Sequence, residues 1–244
     1  MMDHKVVIGY APTRRRIFSV EDALKYKKII FERMQSFNIP NLEIVDIEDI
    51  NEEGLLRCAE DVGPVVEKFK AKKVNALFIP HCNFGSEHSC AKVARELGVP
   101  VLLYGPRDEA PLPDGSRLRD SQCGLFATGK VLRRMRVPFT YIPNCRVEDE
   151  TFEKGFRTFV AAANVVKEFR RARILQISTR PADFWTMMCN EGELLERFGI
   201  QIFPISMTEL THKVRELEAN PNAEVEETVR YIKENMEVCV PDAD

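Results

Sequence analysis

The sequence predicts an α/β protein built on a parallel β-sheet of the flavodoxin or Rossmann type. Short runs rich in β-branched and other apolar residues alternate with longer segments in which apolar residues recur at helical spacing, as in successive βα units. Two of the apolar runs, 75–80 and 99–105, have no polar face, which is typical of strands covered on both sides. We therefore expect the sheet to be buried between helices.

The first part of the chain contains five predicted βα units. The strands are predicted at 5–10, 42–47, 75–80, 99–105 and 138–143. After the first strand, Ser19 and Asp22 form a possible capping box, and a stripe of apolar residues then indicates a helix. A long helix with phenylalanines at 152, 156 and 159 closes this part of the chain. These elements predict an N-terminal α/β domain over residues 1–170.

A second domain is predicted to begin at the basic joint "RRAR", residues 170–173. The segment 171–244 offers two strands, "RILQIS" and "IQIFPIS", together with helices on either side of "NPN". Parallel sheets usually have four or more strands, so this second α/β domain looks incomplete. We expect either the front part of a larger protein or a tail that extends the first domain.

Composition limits the partners and the compartment. The 35 basic and 38 acidic residues give a net charge of −3, which argues against nucleic acid or an anionic membrane as the partner. The N-terminus enters a strand pattern without the zones of a signal peptide, and no apolar run has transmembrane length. The seven cysteines include no CxxC pair and are predicted to be free thiols. We expect a cytoplasmic protein.

The stretch "FIPHCNFGSEHSC", residues 78–90, has the residue types of a metal site. Ser86 or Ser89 can cap a helix whose apolar stripe begins at Cys90. His88 precedes Cys90 by two positions, which puts the two side chains roughly 200° apart around a helix. They cannot share an ion. We therefore predict that this stretch holds no metal.

The same stretch follows the third predicted strand, and ligands bind at the carboxyl ends of strands in open parallel sheets. His81 and Asn83 can supply polar contacts there, and Phe84 an apolar face. An equally good interpretation on composition alone is an ordinary βα turn, in which asparagine and glycine serve the backbone.

Four stretches in order carry a resemblance to a known family. They are "APTRRR" after the first strand, "PHCNFGSE" after the third, residues 104–143, and "FPISMTELTHKV" near the end. Together they resemble the L-fucose and L-arabinose isomerase superfamily, and in particular its L-fucose isomerase-like members. The resemblance implies an aldose-to-ketose isomerisation through an enediol, with a divalent cation, usually Mn²⁺, held by a Glu, an Asp and a His of the later domains.

This chain matches only the N-terminal portion of that family. No catalytic residue, metal ligand or cofactor is therefore expected within it, and Mn²⁺ is expected only for the complete family enzyme. The resemblance implies that loops of the first domain cover the sugar in a neighbouring subunit of a hexamer. The same chemistry could be completed by a companion chain or segment that carries the metal site.

The resemblance also assigns substrate-binding residues. Arg14 and Arg16 would contact sugar hydroxyls, and Gln122 matches a glutamine that faces the neighbour's site in the arabinose branch. Cys82 stands where the fucose enzyme has a tryptophan that stacks on the sugar, which argues against L-fucose itself as the substrate. The other aromatic side chain of this loop is Phe84. With His81 and Asn83, these residues form the predicted binding set.

Other interpretations of these residues stay open. The run of three arginines at 14–16 is more often a solvated loop, and Arg107, Asp108 and Asp120 of the long loop after the fourth strand would pair with one another more readily than with a polyol. Instead of part of an isomerase, the chain could be a free-standing sugar-binding or regulatory module without chemistry, or an unrelated flavodoxin-like binding domain. Self-association is expected, since an unfinished second sheet leaves apolar surface exposed.

Overall fold

The computed structural model describes residues 5–239. The chain divides into two compact units, the first ending at Glu168 and the second beginning at Phe169. Each unit is an α/β structure with a parallel sheet, so the predicted fold class is confirmed. None of the helices within the described residues is long and apolar enough to cross a membrane.

The first unit is a parallel sheet of five strands in the order β2-β1-β3-β4-β5, the flavodoxin-like order. Its strands are β1 (Val6–Tyr10), β2 (Leu42–Val45), β3 (Ala76–Pro80), β4 (Val101–Tyr104) and β5 (Thr140–Ile142). Its helices are α1 (Val20–Ser36), α2 (Val62–Ala71), α3 (Glu87–Leu97), α4 (Ser121–Arg134) and α5 (Glu150–Phe169). A 3₁₀ turn, Ala59–Asp61, precedes α2.

The observed strands are shorter than the predicted ones at their ends, for local reasons. The carboxylate of Asp46 accepts a hydrogen bond from the Glu48 N–H, which turns the chain away from the ladder after β2. Prolines 138 and 143 flank β5 and lack the N–H that a ladder position needs. Apolar composition therefore located each strand, while single polar or proline residues set its limits.

Two apolar layers cover the sheet, one on each face. Alternate residues of the strands pack against α1 and α5 on one side, where Phe78 contacts the rings of Phe152 and Phe156. The other residues of the same strands pack against α2, α3 and α4. The predicted burial of the sheet on both faces is confirmed.

The entry to α1 differs from the predicted capping box in one of its two bonds. The Ser19 hydroxyl accepts from the Asp22 N–H as expected. The Ser19 N–H, however, donates to the carbonyl of Leu118, so it does not bond to the Asp22 carboxylate. The start of α1 is thereby tied to the long loop between β4 and α4.

The second unit is smaller, and its two strands, β6 (Arg173–Ile177) and β7 (Gln201–Ile205), form a parallel pair. Its helices are α6 (Glu191–Phe198), α7 (Met207–Ala219) and α8 (Ala223–Asn235), and a 3₁₀ turn spans Trp185–Met187. Ser206 makes a capping box with Glu209 at the start of α7. Both predicted strands of this unit are confirmed. All seven cysteines of the chain are free thiols.

Candidate functional site at the carboxyl edge of the sheet

The candidate site lies where the loops after β1 and β3 meet. β1 and β3 are neighbours in the sheet, and β2 lies on the other side of β1. The helix after β1 covers one face of the sheet and the helix after β3 covers the other, so the chain leaves these two strands towards opposite faces. Such a switch point is where open α/β sheets bind ligands. We call the surface formed by loops 11–19, 81–86 and 105–120 the carboxyl edge.

Thr13, which is fully buried, joins three segments of this edge. Its N–H donates to the Pro80 carbonyl at 2.9 Å, and its own carbonyl accepts from the Cys82 N–H at 3.0 Å. Its hydroxyl donates to the Leu56 carbonyl at 2.7 Å and accepts from the Ser86 N–H at 2.9 Å. The loop after β1 is thus a continuation of the sheet and not a free arm.

Asn83 links the loops after β1 and β3 through its side-chain amide. Its Oδ1 accepts from the N–H groups of Arg15 at 2.7 Å and Gly85 at 3.2 Å. Its Nδ2 donates to the carbonyls of Arg15 and Ser19. Because the side chain is fully buried and these bonds occupy both its oxygen and its nitrogen, Asn83 serves the backbone, as the turn interpretation supposed.

His81 is fully buried beneath the same loop. Its Nε2 lies 2.8 Å from Oγ1 of Thr128 on α4, and no hydrogen bond of regular geometry reaches its Nδ1 within the described residues. Burial lowers the pKa of His81 to about 4, although the neighbouring backbone of Tyr104 and Ile79 acts in the opposite direction. The imidazole is therefore neutral near pH 7.

The cysteines of this loop are apolar core residues. Cys82 and Cys90 are both fully buried, and burial raises the pKa of each thiol to about 12. His88 is exposed while Cys90 is not, so the predicted opposite orientation of these two side chains is confirmed. Among residues 5–239, no three His, Cys, Asp or Glu side chains are grouped so that they could hold a metal ion.

The three successive arginines have three different environments. Arg14 forms a two-pronged ion pair with Glu53, at 2.5 and 2.6 Å, in a mostly buried position. Arg15 lies over the ring of Phe84 at 4.0 Å and donates to the Gly85 carbonyl at 3.1 Å. Arg16 is exposed, and none of the ion pairs between described residues includes it. Arg16 is therefore the arginine of this run that remains available to a ligand.

An aromatic pair stands beside these arginines. The rings of Phe18 and Phe84 are stacked with their centroids 5.7 Å apart, and both side chains are partly exposed. The Arg15 guanidinium covers a face of the Phe84 ring at the point where the two loops meet. Neighbouring Ile17 is 82% exposed, which extends the apolar character of this aromatic pair into solvent.

The start of α4 fits closely against the loop after β3. A Cβ atom added at Gly124 would lie 1.7 Å from the carbonyl oxygen of Phe84, so only glycine permits this approach. Gln122, two residues earlier, has a buried Oε1 without a hydrogen-bond partner within residues 5–239. The side chain as a whole is partly exposed, but this oxygen is not, so it can accept a hydrogen bond from a ligand only after the side chain turns outward.

Arg119 is the residue of this edge that the sequence did not single out. It is fully buried, stacks on the ring of Tyr26 at 3.5 Å, and donates to Glu109 at 3.0 Å and to the Arg107 carbonyl at 2.9 Å. Asp108 lies 3.5 Å from the same guanidinium. The loop 105–120 is therefore held by internal pairing through Arg119, and none of the ion pairs between described residues joins Arg107, Asp108 and Asp120 to one another as predicted.

The predicted binding residues fall into two groups. His81, Cys82 and Asn83 are fully buried, and Arg14 is occupied by Glu53, so none of these four faces solvent freely. The accessible residues are Arg16, Phe84 and Gln122. That these residues contact a sugar remains a prediction.

Comparisons with known proteins give one clear result. The family described as "Fucose/sulfoquinovose isomerase, N-terminal domain" matches residues 9–170, which coincide with the five-stranded unit. No curated protein matches significantly. Among solved structures, a periplasmic solute-binding protein of an ABC transporter from Actinobacillus succinogenes 130z, with bound D-allose, is 19% identical, with 89% of this chain and 67% of that chain covered at a TM-score of 0.26. A TM-score this low does not establish a shared fold. The family match extends over most of the chain, and the chain therefore belongs to the fucose/sulfoquinovose isomerase family through its N-terminal domain.

Proposed function

We propose that this chain is the substrate-facing N-terminal part of an aldose–ketose isomerase. The family match over the whole five-stranded unit is the observation that carries the proposal. In this role the carboxyl edge covers a sugar held by another segment or chain, which supplies the metal and the proton-transfer groups. The proposal includes self-association and a cytoplasmic location.

The accessible residues of the carboxyl edge suit a polyol. Phe18 and Phe84 are partly exposed and offer apolar contact area for the C–H groups of a sugar. Arg16 offers donors, and the partly exposed side chain of Gln122 offers an amide acceptor once it turns outward. A sugar hydroxyl is both donor and acceptor, so it can satisfy both side chains.

The buried residues support this surface and do not contact the sugar. The four hydrogen bonds of Asn83 and the bonds of Thr13 fix the positions of Arg15, Arg16 and Phe84. His81 ties the loop after β3 to α4, which carries Gln122. A surface held in this way loses little conformational entropy when it closes on a ligand.

Metal chemistry is not assigned to this chain. Within the described residues no three His, Cys, Asp or Glu side chains are grouped so that they could hold a metal ion. In the proposed function, the Mn²⁺ that the family resemblance implies is held by the other segment or chain.

Exposed apolar side chains in the second unit support the self-association part of the proposal. Leu175 is 58% exposed, Trp185 75% and Met187 67%. Patches of this kind are rare on monomeric proteins and common at interfaces.

The test is complementation. The chain is mixed with a segment carrying the metal-binding half of a family member, Mn²⁺ is added, and the conversion of L-fucose, L-arabinose and sulfoquinovose is measured. We expect turnover in the mixture that neither chain shows alone, and a loss of roughly tenfold in kcat/KM with Arg16→Ala or Gln122→Ala, as for a lost hydrogen bond to substrate. Lys92→Ala, exposed on the middle of α3, is the matched control.

Two outcomes would contradict the proposal. Metal-dependent turnover by this chain alone would show a catalytic centre within it. Sugar binding by this chain without turnover in any mixture would favour the alternative of a free-standing binding or regulatory module.

A further inference from the structure

The opposite edge of the sheet in the first unit carries a concentration of positive charge. Helices α2, α3 and α4 pack side by side on one face of the sheet and run antiparallel to its strands, so their C-termini lie together at the amino ends of the strands. This edge is distinct from the carboxyl edge, which is the sugar-facing surface in the proposed function.

Seven exposed cations lie at these helix ends. The end of α2 carries Lys70, Lys72 and Lys73, and the end of α3 carries Arg95. The end of α4 carries Arg133, Arg134 and Arg136. We call this set the basic edge. Only one acidic residue, Glu96, lies in the last turns of the three helices, and the ion pairs between described residues include none of the seven cations.

Helix dipoles alone do not account for these cations. A basic residue in the last turn stabilises a helix. Two of the seven, however, occupy left-handed positions that are strained for any residue other than glycine. Lys73 and Arg136 each follow a helix in the left-handed conformation, with φ of 55° and 57°. Glycine is the favoured residue there, and α3 does end with Gly98 at φ 62°. The chain thus presents charge at the expense of local stability.

The chain also carries a complementary surface. Residues 191–235, which contain α6 to α8, hold ten acidic and five basic residues. One surface of α8 carries three carboxylates and a single cation, Arg230, which leaves it net negative. Glu224, Glu227 and Glu234 share this face by helical spacing, with the 60% exposed Tyr231 between them. We call these residues the acidic stripe. The ion pairs between described residues include none of its three carboxylates.

We propose that the basic edge binds the acidic stripe of a second copy of this chain. A second copy suits this edge, because the chain itself carries the complementary acidic stripe. The net charge of −3 opposes a polyanionic partner. The inference rests on the self-association included in the proposed function, but not on what the carboxyl edge binds.

The experiment measures self-association by sedimentation equilibrium at 50 and 500 mM NaCl. Ionic contacts weaken with salt, whereas apolar contacts do not, so we expect the dissociation constant to rise about tenfold or more at high salt. The triple variant R133E/R134E/R136E and the triple variant E224K/E227K/E234K should each lose the salt-sensitive association. An equimolar mixture of the two should regain it, because their charges are again opposite. K25E/K28E, on the exposed side of α1, is the control and should behave as the parent chain.

A second pair of variants keeps the inference testable if a charge reversal disturbs folding. K73G and R136G relieve the left-handed strain, so each should raise the midpoint of urea unfolding while weakening the salt-sensitive association. A monomer at both salt concentrations, or an association that salt strengthens, would overturn the proposal. So would a mixture of the two triple variants that stays monomeric. Nucleic acid that copurifies with the parent chain and is lost in R133E/R134E/R136E would show a polyanion as the partner instead.

Discussion

The buried imidazole of His81 should make the stability of the first unit depend on pH in a range where most carboxylates do not titrate. The folded chain holds the pKa of His81 at about 4, whereas an unfolded histidine has its ordinary value of 6.5. Below pH 6.5 the unfolded chain therefore binds a proton that the folded chain refuses. The contribution of His81 to the free energy of unfolding is present above pH 6.5 and is lost as the pH falls through 6.5 towards 4.

The size of the effect follows from the two pKa values. Linkage gives a loss of about 2 kcal/mol between pH 7.5 and pH 5, and about 3 kcal/mol by pH 4. The range from 7.5 to 5 is the more informative, because ordinary Asp and Glu side chains remain ionised over most of it.

The assay is urea unfolding at several pH values between 7.5 and 5 for the parent chain and His81→Gln. The glutamine can still bond to Thr128 but cannot titrate, so the variant should lack the pH-dependent loss whatever its stability at pH 7.5. His88→Gln, at an exposed position, is the control and should keep the parent profile. If His81→Gln does not fold, NMR of histidine-labelled parent chain replaces it, and the His81 signals should not titrate above pH 5. Equal pH profiles for the parent chain and His81→Gln, or a His81 signal with a midpoint near 6.5, would refute the reasoning.

Three further predictions concern the packing of the carboxyl edge, each measured by urea unfolding at pH 7.5. Gly124→Ala should destabilise the chain by about 3 kcal/mol, since α4 must move away from the Phe84 carbonyl. Lys130→Ala, at an exposed position of the same helix, should change stability by less than about 0.5 kcal/mol; equal effects would contradict the close approach. Arg119→Ala should cost about 3 kcal/mol, because it removes the stacking on Tyr26, the donor to the Arg107 carbonyl and one of two donors to Glu109. Arg119→Lys should recover only part of this, because a lysine cannot stack on Tyr26 while reaching both acceptors. Arg117→Ala, in the exposed part of the same loop, should change stability by less than about 0.5 kcal/mol, and a comparable loss there would mean that the loop matters and Arg119 does not. For Arg14 and Glu53, a double-mutant cycle with Arg14→Met and Glu53→Gln should give a coupling energy of about 1–3 kcal/mol, and a coupling near zero would leave Arg14 free to bind ligand after all.

The strands were predictable from sequence because each is a short apolar run with β-branched residues, and the covered sheet followed from runs without a polar face. Their order was not predictable in the same way, since pairing depends on contacts between residues far apart in sequence. β1 lies between β2 and β3, although it precedes both in the chain.

The carboxyl edge shows why a site is harder to predict than a fold. Composition showed polar residues at the end of β3, but it could not show whether their polar atoms face a ligand or a neighbouring loop. The Asn83 amide donates to the carbonyls of Arg15 and Ser19, more than sixty residues earlier in the chain. Asn83 is fully buried where these two loops meet. Arg119 was missed because a charged side chain in a long loop is usually exposed, and its burial depends on Tyr26 of a different element.

The junction of the loops after β1 and β3 has a consequence for recombination. Thr13 and Arg15 come from one segment, Asn83 and Ser86 from another, and the backbone of each is held by a side chain of the other. A chimera of two relatives with a crossover between residues 20 and 80 would separate these partners and join loops that were never selected together. A crossover between residues 90 and 100 would keep the pair intact. Shuffled libraries of this family should therefore yield folded proteins more often from the second crossover than from the first, and loop grafts that aim to change the sugar should transfer both segments at once.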